Sequence, residues 1–429
     1  MELVLEQKHA DDWIYRGEGA ANLILAYNGS SPTFVGKVLR IQKAPRNESP
    51  KYVCGSENTH SVLTNDECLL WKETEDLVSA PTREIAEQLF VQHIISPLLG
   101  SKHVDAGSRV ILSKEFLEVV ERNILSQRPS WRVDAAVVNT LCDFALLMSD
   151  HSVFPYVSRF ISEENDIKKR KSRFEMHQSL KLHRREISEI SEYNPLDLFS
   201  GSKDRVHNAI KALFATPQNN FRVFLNGSLV LGGLGGGADS TSFMIGDAFE
   251  DVLKGVIEAD DGLRTTNFLH LVAEAISGSG LLDRLLELQK LDNIDIEGAI
   301  HAYYNLVSQP CIACRDLGGG KLLDRYASLH SMSMDESLKI VRNYLIAATA
   351  KDLSLMISFR PSEDGDVESP YNGVFLESTN QSFEYKASFI DLDMKPLKKM
   401  ELYYERDQQI VSLYSWVEKR EDEAEKAAP

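Results

Sequence analysis

Alternation of apolar and polar residues near the start of the chain predicts an antiparallel sheet. Trp13–Tyr15 leads through a glycine-containing turn into the apolar run Leu23–Tyr27, and Phe34–Ile41 is a third candidate strand. Val110–Leu112 and the stretch Ala135–Met148 add further strands or short helices. The pattern therefore predicts a first part of mixed α and β structure.

Helical spacing governs most of the remaining pattern. Apolar residues recur three and four positions apart in Thr82–Leu99, and helical patterns dominate Arg205–Leu213 and Ala248–Tyr304. The glycine-rich run Leu231–Gly237 lacks the Gly-Lys-Ser/Thr ending of a phosphate loop, so we interpret it as a flexible loop.

Two aspartates flank the last predicted strands. A helix over Val341–Ala350 is expected to end at Asp352, and the strands Leu353–Phe359 and Phe383–Ile390 follow, with Asp391 directly after the second strand. Such a hairpin places both carboxylates as kinase-like sites place a catalytic base and a metal-binding group. Helix-cap and turn aspartates are the alternative interpretation.

Composition and net charge limit the classes of molecule that the chain is expected to bind. The chain has 429 residues, 43% of them hydrophobic, with 64 acidic against 47 basic residues and a net charge of −17. These are globular values, and the acidic balance argues against general affinity for nucleic acid or anionic membrane. No apolar run reaches the roughly 20 residues of a membrane span, and the start is not a secretory signal. The five cysteines are sparse, which suits a reducing compartment.

A basic and aromatic face is predicted just after Asp391. Lys395, Lys399 and Tyr403 are spaced i, i+4 and i+8, and Pro396 fits the first turn of a helix. Such a face suits a highly phosphorylated substrate, and a solvated amphipathic helix is the alternative. The basic run 168–173 is interpreted as a solvated helix face, with a nuclear-import patch or an anion pocket as alternatives.

Two further patterns carry candidate chemistry. Gly17 and Gly19 lie between two predicted strands, where a nucleotide phosphate loop and a plain hairpin turn are both possible. The spacing of two histidines around a Cys-x2-Cys pair favours a Cys₂His₂ zinc site over incidental thiols. The four candidate ligands are His301, Cys311, Cys314 and His330.

Taken together, these segments resemble the plant form of the inositol-pentakisphosphate 2-kinase family over nearly the whole chain. The resemblance rests on Asp12–Gly19, Phe34–Gln42, Lys102–Gly107, Asn194–Ser202, Thr216–Gly227, Ala347–Asp352 and Phe389–Leu392. It implies transfer of a phosphoryl group from Mg·ATP to the 2-hydroxyl of inositol 1,3,4,5,6-pentakisphosphate, giving phytic acid. It also implies a two-lobed, kinase-like α+β fold, with an ATP-binding N-terminal lobe at 1–155 and a C-terminal lobe at 156–429.

The resemblance assigns roles to individual residues. Asp352 would be the base on the 2-hydroxyl, and Asp391 would hold Mg²⁺. The residues implied for ATP are Gly19, Ala20, Ala21, Asn22, Arg40, Ala145, Leu146, Leu147 and Arg222. Those implied for inositol phosphates are Arg128, His177, Lys181, Asn219, Lys395, Lys399 and Tyr403, with Asp352 at the reacting hydroxyl. The four histidine and cysteine ligands would bind a structural Zn²⁺ in the C-terminal lobe.

The resemblance also implies the setting in which the chain works. We expect a monomer that acts on a small molecule, without nucleic-acid or membrane partners, in the cytoplasm and the nucleus.

The sequence departs from the family at three points. Lys399 stands where the family has arginine, and Pro45 stands where it has a phosphate-binding arginine that Arg46 could replace. The family's Glu-x-Lys-Pro-Lys motif is missing, because 150–160 lacks more than a dozen residues found there in relatives. Lys168, Lys169 and Lys171 are candidates to replace its two lysines. The alternative is a chain that binds inositol phosphates without turnover.

Overall fold

The computed structural model contains two compact units. It describes residues 3–19, 21–29, 34, 37–46, 62–140, 142, 144–149, 167–218, 220–232, 246–292, 294–316, 329–330, 332–362 and 371–427. The first unit comprises Met1–Leu63, Thr74–Pro97 and Val104–His151, and the second comprises Thr64–Glu73, Leu98–His103 and Ser152–Pro429. Two short segments from the first half of the chain therefore belong to the second unit.

A twisted sheet forms the centre of the first unit, in the order β1-β5-β7-β4-β3-β2, with β6 paired to β4. Its strands are β1 Val4–Leu5, β2 Trp13–Glu18, β3 Asn22–Tyr27, β4 Lys37–Pro45, β5 Ser108–Leu112, β6 Ala136–Val138 and β7 Phe144–Ser149. Among the described strands of this sheet, β1 and β5 pair in parallel and the other pairs are antiparallel. The three strands predicted before residue 42 are confirmed as the meander β2-β3-β4.

Helices of the first unit pack against this sheet. The helices of this unit are α2 Glu75–Val78, α3 Arg83–Phe90, α5 Lys114–Ile124 and α6 Ser130–Ala135. A π-helical turn at Val91–Ile95 joins α3 to α4 Ser96–Leu99, whose last two residues already belong to the second unit. The predicted helix over Thr82–Leu99 is therefore confirmed. Helix α5 begins at the N-cap Ser113, and its fully buried residues Phe116 and Val120 pack into the core beneath the sheet.

The second unit is mainly helical. Its helices are α1 Asn65–Leu70, α7 Ile167–Arg170, α8 Arg173–His183, α9 Pro195–Leu198, α10 Lys203–Ala215, α11 Gly246–Val252, α12 Arg264–Ser279, α13 Leu281–Gln289, α14 Asp295–Val307, α15 Ile312–Asp316, α16 Met334–Asp352 and α17 Met400–Ala427. The long helix α16 begins with a capping box between Ser333 and Glu336 and continues to Asp352, as the sequence predicted.

Two small sheets complete the second unit. One has the order β10-β12-β11, with β10 Ser354–Pro361, β11 Asn372–Leu376 and β12 Gln381–Ile390, and the other pairs β8 Val223–Leu225 with β9 Ser228–Leu231. Strand β11 had not been predicted. The mixed α and β composition predicted from the sequence is confirmed. Within the described residues, no helix combines the length and apolar character that crossing a bilayer requires.

Candidate functional site

The predicted glycine turn joins β2 to β3 in the first unit, although Gly17 lies within β2 and only Gly19 follows the strand. The Gly19 amide donates to the Asn22 carbonyl at 2.9 Å, which closes the turn. The Gly19 carbonyl accepts from the Lys43 ammonium at 2.6 Å and from the Arg132 guanidinium at 3.2 Å. A Cβ built on Gly19 would meet nothing within 4 Å, so the space beside the turn is open to a ligand. Ala20 lies outside the described residues.

Beside the turn, Glu18 forms buried ion pairs with two cations, a cluster that the sequence did not predict. Its carboxylate accepts two hydrogen bonds from Arg128, at 2.9 and 3.0 Å, and one from Lys43 at 2.5 Å. All three side chains are at most 2% exposed. Burial alone would raise the pKa of Glu18, but the bonds from Arg128 and Lys43 outweigh it and hold the pKa below its ordinary value.

This cluster bears on the role predicted for Arg128. Its guanidinium also donates to the Ala136 carbonyl at 2.8 Å and lies 3.4 Å from Glu121. A phosphate that binds Arg128 would therefore have to displace or share the Glu18 carboxylate. Contact with inositol phosphate stays a prediction for this residue.

The remaining residues predicted for ATP in this unit lie on neighbouring strands. The side-chain amide of Asn22 is oriented so that its oxygen faces Arg40. This oxygen accepts two hydrogen bonds from the Arg40 guanidinium, at 2.6 and 3.2 Å. Arg40 in β4 pairs with Leu146 in β7, next to the buried Ala145 and to Leu147. Strand pairing thus brings Asn22, Arg40 and the 145–147 segment together across β3, β4 and β7. Arg46, the candidate substitute at Pro45, is exposed.

In the second unit, the two predicted aspartates lie at the same end of the β10-β12 pair. Ser354 in β10 lies opposite Ile390 in β12, and its hydroxyl donates to the Asp391 carboxylate at 2.8 Å. Asp352 ends α16 two residues before Ser354. Asp391 has a φ of +56°, in the left-handed region where aspartate is one of the few tolerated side chains. The register therefore places both carboxylates at the same edge, as predicted.

Lys395 lies beside the candidate base. Its ammonium forms an ion pair with the Asp352 carboxylate. The Asp352 side chain is still 73% exposed. The structure corrects the expected helical face here, because Pro396 caps a 3-10 turn at Leu397–Lys399 and α17 begins only at Met400. Lys395 therefore precedes the helix, and the loop after Asp391 positions it. Lys399 ends the 3-10 turn, and the half-buried Tyr403 lies one turn later in α17.

A second group of predicted phosphate ligands lies on α8, which packs against α17. Burial lowers the pKa of His177 to about 4, and the neighbouring cations Lys181, Arg173, Arg406 and Arg184 lower it further in the same direction. Burial also lowers the pKa of Lys181. The surroundings of His177 are therefore electropositive, which favours an anionic ligand.

Of the two other predicted residues, Asn219 is outside the described residues. Arg222 precedes β8, and its backbone packs closely against Gly232, where a Cβ would come within 2.3 Å of the Phe221 carbonyl. Gly232 also has a φ of +88°, which other residues rarely adopt. Both the close contact and the φ angle therefore favour glycine at this position.

Within the basic run 168–173, Lys168 does not have the predicted role of a solvated residue. Lys168 is 7% exposed, and its ammonium lies 2.5 to 2.7 Å from the carboxylates of Asp295, Glu297 and Asp407. Lys171 forms an ion pair with Glu175 at 2.6 Å. Lys168 is thus a buried structural cation, neither a solvated face nor a replacement for a missing substrate-binding lysine. The side chain of Lys169 and residues 150–166 lie outside the described part of the chain.

The four predicted zinc ligands come together as one cluster. The donor atoms of His301, Cys311, Cys314 and His330 all lie within 4.8 Å of one another. The His301 Nδ1 atom lies 3.3 Å from both sulfurs, and the His330 Nε2 atom lies 3.1 Å from the Cys314 sulfur. The Cys314 amide donates to the Cys311 sulfur at 3.4 Å, as in a metal knuckle.

The chemistry of this donor set fits a tetrahedral Zn²⁺. Burial lowers the pKa of His301 to about 4, so its imidazole is neutral, which is the form that binds metal. Two thiol and two imidazole donors at these separations match ligands about 2.0–2.3 Å from one central ion.

The Glu18 cluster generates a stability prediction. In Glu18→Gln, the buried Lys43 and Arg128 lose their shared carboxylate, so the free energy of unfolding is expected to fall by about 3 kcal/mol. Urea unfolding monitored by circular dichroism measures this change. The matched control Glu118→Gln removes an exposed pair with Lys114 on α5 and should cost about 0.5 kcal/mol or less. Equal losses in both variants would contradict the prediction.

Comparisons with known proteins agree on one family. A family model described as inositol-pentakisphosphate 2-kinase matches residues 15–409. A protein of that name from Arabidopsis thaliana is 56% identical over 99% of this chain and 98% of its own length. One from Oryza sativa subsp. indica is 48% identical over 97% of this chain and 96% of its own length, and one from Danio rerio is 26% identical over 96% and 94%.

Proposed function

This chain belongs to the inositol-pentakisphosphate 2-kinase family, and we propose that it transfers the γ-phosphoryl group of Mg·ATP to the 2-hydroxyl of inositol 1,3,4,5,6-pentakisphosphate. The products are inositol hexakisphosphate and ADP. The bond from the γ-phosphorus to its bridging oxygen breaks as a new phosphorus–oxygen bond forms at the inositol ring. The relatives carry this enzymatic activity in their names. The finer assignments below are proposals for this chain.

One observation carries the proposal, namely the convergence of Asp352, Asp391 and Lys395 at the end of the β10-β12 pair. Asp352 accepts the proton of the attacking hydroxyl. Its carboxylate is exposed at the end of a helix, so a substrate hydroxyl can reach it. Asp391 holds Mg²⁺, a cation that prefers carboxylate oxygens and neutralises charge on the ATP phosphates. Lys395 lies against Asp352, where it can bind a phosphate next to the reacting hydroxyl.

The electropositive region on α8 and α17 supplies the rest of the substrate site. Inositol pentakisphosphate carries many negative charges, and His177 is surrounded by cations that lower its pKa. Lys181 on α8 and Lys399 and Tyr403 near the start of α17 bind the phosphates that do not react. Their contacts fix the ring so that the 2-hydroxyl faces Asp352. In the first unit, Gly19, Asn22 and Arg40 bind ATP around the open glycine turn.

One observation keeps a binding-only chain as a second candidate. The comparison with the Arabidopsis relative spans 446 aligned positions, more than the 429 residues of this chain, so the relative has residues that this chain lacks. The sequence places a shortened region at 150–160. Lys168 does not compensate for it, because three carboxylates occupy its ammonium. Turnover by the purified chain separates the two candidates.

We expect Asp352→Asn to lower kcat by roughly 10²- to 10⁴-fold, because the amide cannot take the proton of the 2-hydroxyl. The assay follows formation of inositol hexakisphosphate from the pentakisphosphate with Mg·ATP. The control Asp335→Asn lies at the other end of α16, where the carboxylate pairs with Lys72 on the surface, and should retain activity. Full activity of Asp352→Asn would refute the role of the base. Absence of turnover in the unsubstituted chain, with hexakisphosphate still bound, would support the binding-only candidate.

We also propose that the cluster of two histidines and two cysteines holds a structural Zn²⁺. This ion would tie α14, which carries His301, to α15 and to the segment of His330. Four protein donors fill a tetrahedral shell, so the site has a structural and not a catalytic character.

Metal analysis tests this proposal. We expect one zinc per chain, and we expect Cys311→Ser and His301→Ala to lose it and to lower the melting temperature, because zinc binding contributes directly to folding. The control His183→Ala changes an exposed histidine outside the cluster and should keep the metal. Purified chain without zinc, or variants with unchanged zinc content, would argue against the site.

Substrate binding should change the protonation of His177. Its pKa is about 4, so it is neutral at pH 7, and a bound polyanion favours the charged imidazole. We therefore expect the pKa to rise when inositol hexakisphosphate binds, with proton uptake below neutral pH. NMR titration of the imidazole, with His177→Gln to assign its signal, measures this shift. An unchanged pKa in a saturated complex would place the phosphates elsewhere.

A further inference from the structure

The segment Thr64–Glu73 belongs to the second unit although the sequence places it among residues of the first. Its helix α1 packs on α16, the helix that ends at Asp352. Two surface ion pairs join the segment to α16, from Lys72 to Asp335 at 3.0 Å and from Glu73 to Arg342 at 2.5 Å. Exposed pairs of this kind contribute little energy, so they do not explain why the segment lies here.

The segment buries Leu70 and Trp71, each 2% exposed, and one charged side chain, Glu67, which is 5% exposed. One carboxylate oxygen accepts from the Thr64 amide at 3.0 Å, and the Thr64 hydroxyl accepts from the Glu67 amide at 3.1 Å, so the two residues form a capping box for α1. The other carboxylate oxygen accepts from the Leu397 amide at 3.2 Å. A single carboxylate thus caps its own helix and bonds a backbone amide 330 residues later.

The Leu397 amide is a donor that its own segment does not satisfy. It opens the 3-10 turn Leu397–Lys399 that leads into α17, and Pro396 at the N-cap supplies no side-chain bond. The first amides of a helix need an outside acceptor, and a negative charge is favoured at that end. Leu397 is 3% exposed, so water is a poor substitute for Glu67.

We propose that Glu67 is a positioning residue that fixes the start of the phosphate-binding turn relative to Asp352. Lys395 and Lys399 lie two residues to either side of Leu397, and the segment that carries Glu67 is packed on the helix that ends at Asp352. Movement of the Leu397 backbone would move both lysines away from the candidate base. This inference rests on the proposed function, because that function gives the two lysines their role.

Glu67 needs a carboxylate because each of its two side-chain oxygens accepts a hydrogen bond from a backbone amide. In Glu67→Gln the side chain keeps its volume, but its amide nitrogen can only donate, so it can serve the Thr64 amide or the Leu397 amide and not both. The matched control is Thr64→Ala, which removes the other half of the capping box and leaves the bond to Leu397 in place. The two variants weaken α1 in similar ways and differ at α17.

The experiment compares the whole chain with these two variants. We expect Glu67→Gln to raise the KM for inositol pentakisphosphate and the Kd for inositol hexakisphosphate about tenfold, with the KM for ATP changed less than twofold. Thr64→Ala should lower the melting temperature about as much and leave all three constants within about twofold. Hydrogen exchange at the Leu397 amide should accelerate in Glu67→Gln and not in Thr64→Ala.

Several outcomes would overturn the proposal. Unchanged constants in Glu67→Gln, or equal changes in both variants, would mean that Glu67 only stabilises α1. If Glu67→Gln does not fold, unaltered exchange of the Leu397 amide in Glu67→Asp, whose shorter side chain retracts the carboxylate, would refute it. If the unsubstituted chain binds hexakisphosphate without turnover, the kinase proposal fails, and the Kd comparison still decides the role of Glu67.

Discussion

Apolar packing between α8 and α17 is the interaction on which the proposed phosphate site of the second unit depends. Met176 and Leu180 of α8 are buried against Ile410 and Val411 of α17. Each such side chain contributes roughly 1.5–3 kcal/mol on burial. This contact holds His177 of α8 close to the cations that lower its pKa.

Burial and ion pairing distinguish the structural cations from the exposed Lys399. Lys168 and Arg128 are both buried, and carboxylates surround each of them. Burying either one without these partners would cost several kcal/mol, so their pairing is a condition of the fold. Lys399 by contrast is exposed at the end of a helical turn, where the proposed function has it bind a phosphate. The net negative charge of the chain does not oppose such binding, because salt screens distant charges and the local field decides at contact distance.

Local patterns in the sequence predicted what depends on local structure. The positions of Asp352 and Asp391 followed from the ends of one helix and one strand, and the register of β10 on β12 brought them together. The spacing of the histidines and cysteines likewise predicted a cluster that the structure confirms, while the ion in it stays a proposal.

The contacts of Glu18 and Glu67 were not predictable in this way. The bond from Arg128 to Glu18 spans 110 residues and that from Leu397 to Glu67 spans 330. The spacing of Thr64 and Glu67 is typical of a capping box, but it gives no sign of the distant second donor. Lys168 was misinterpreted for the same reason, since its three carboxylate partners lie more than 120 residues away.

The placement of Thr64–Glu73 and Leu98–His103 in the second unit affects how the chain emerges from the ribosome. His103 forms a hydrogen bond with the Ala387 carbonyl at 2.8 Å, and Glu67 accepts one from the Leu397 amide. Both early segments therefore have partners that are synthesised near the end of translation. The second unit cannot complete itself until almost the whole polypeptide has been synthesised. A fragment that starts at the main boundary would lack both segments and leave these buried backbone groups without their partners. The two early segments can therefore reach their final packing only late in translation, after most of the chain between them and their partners has been made.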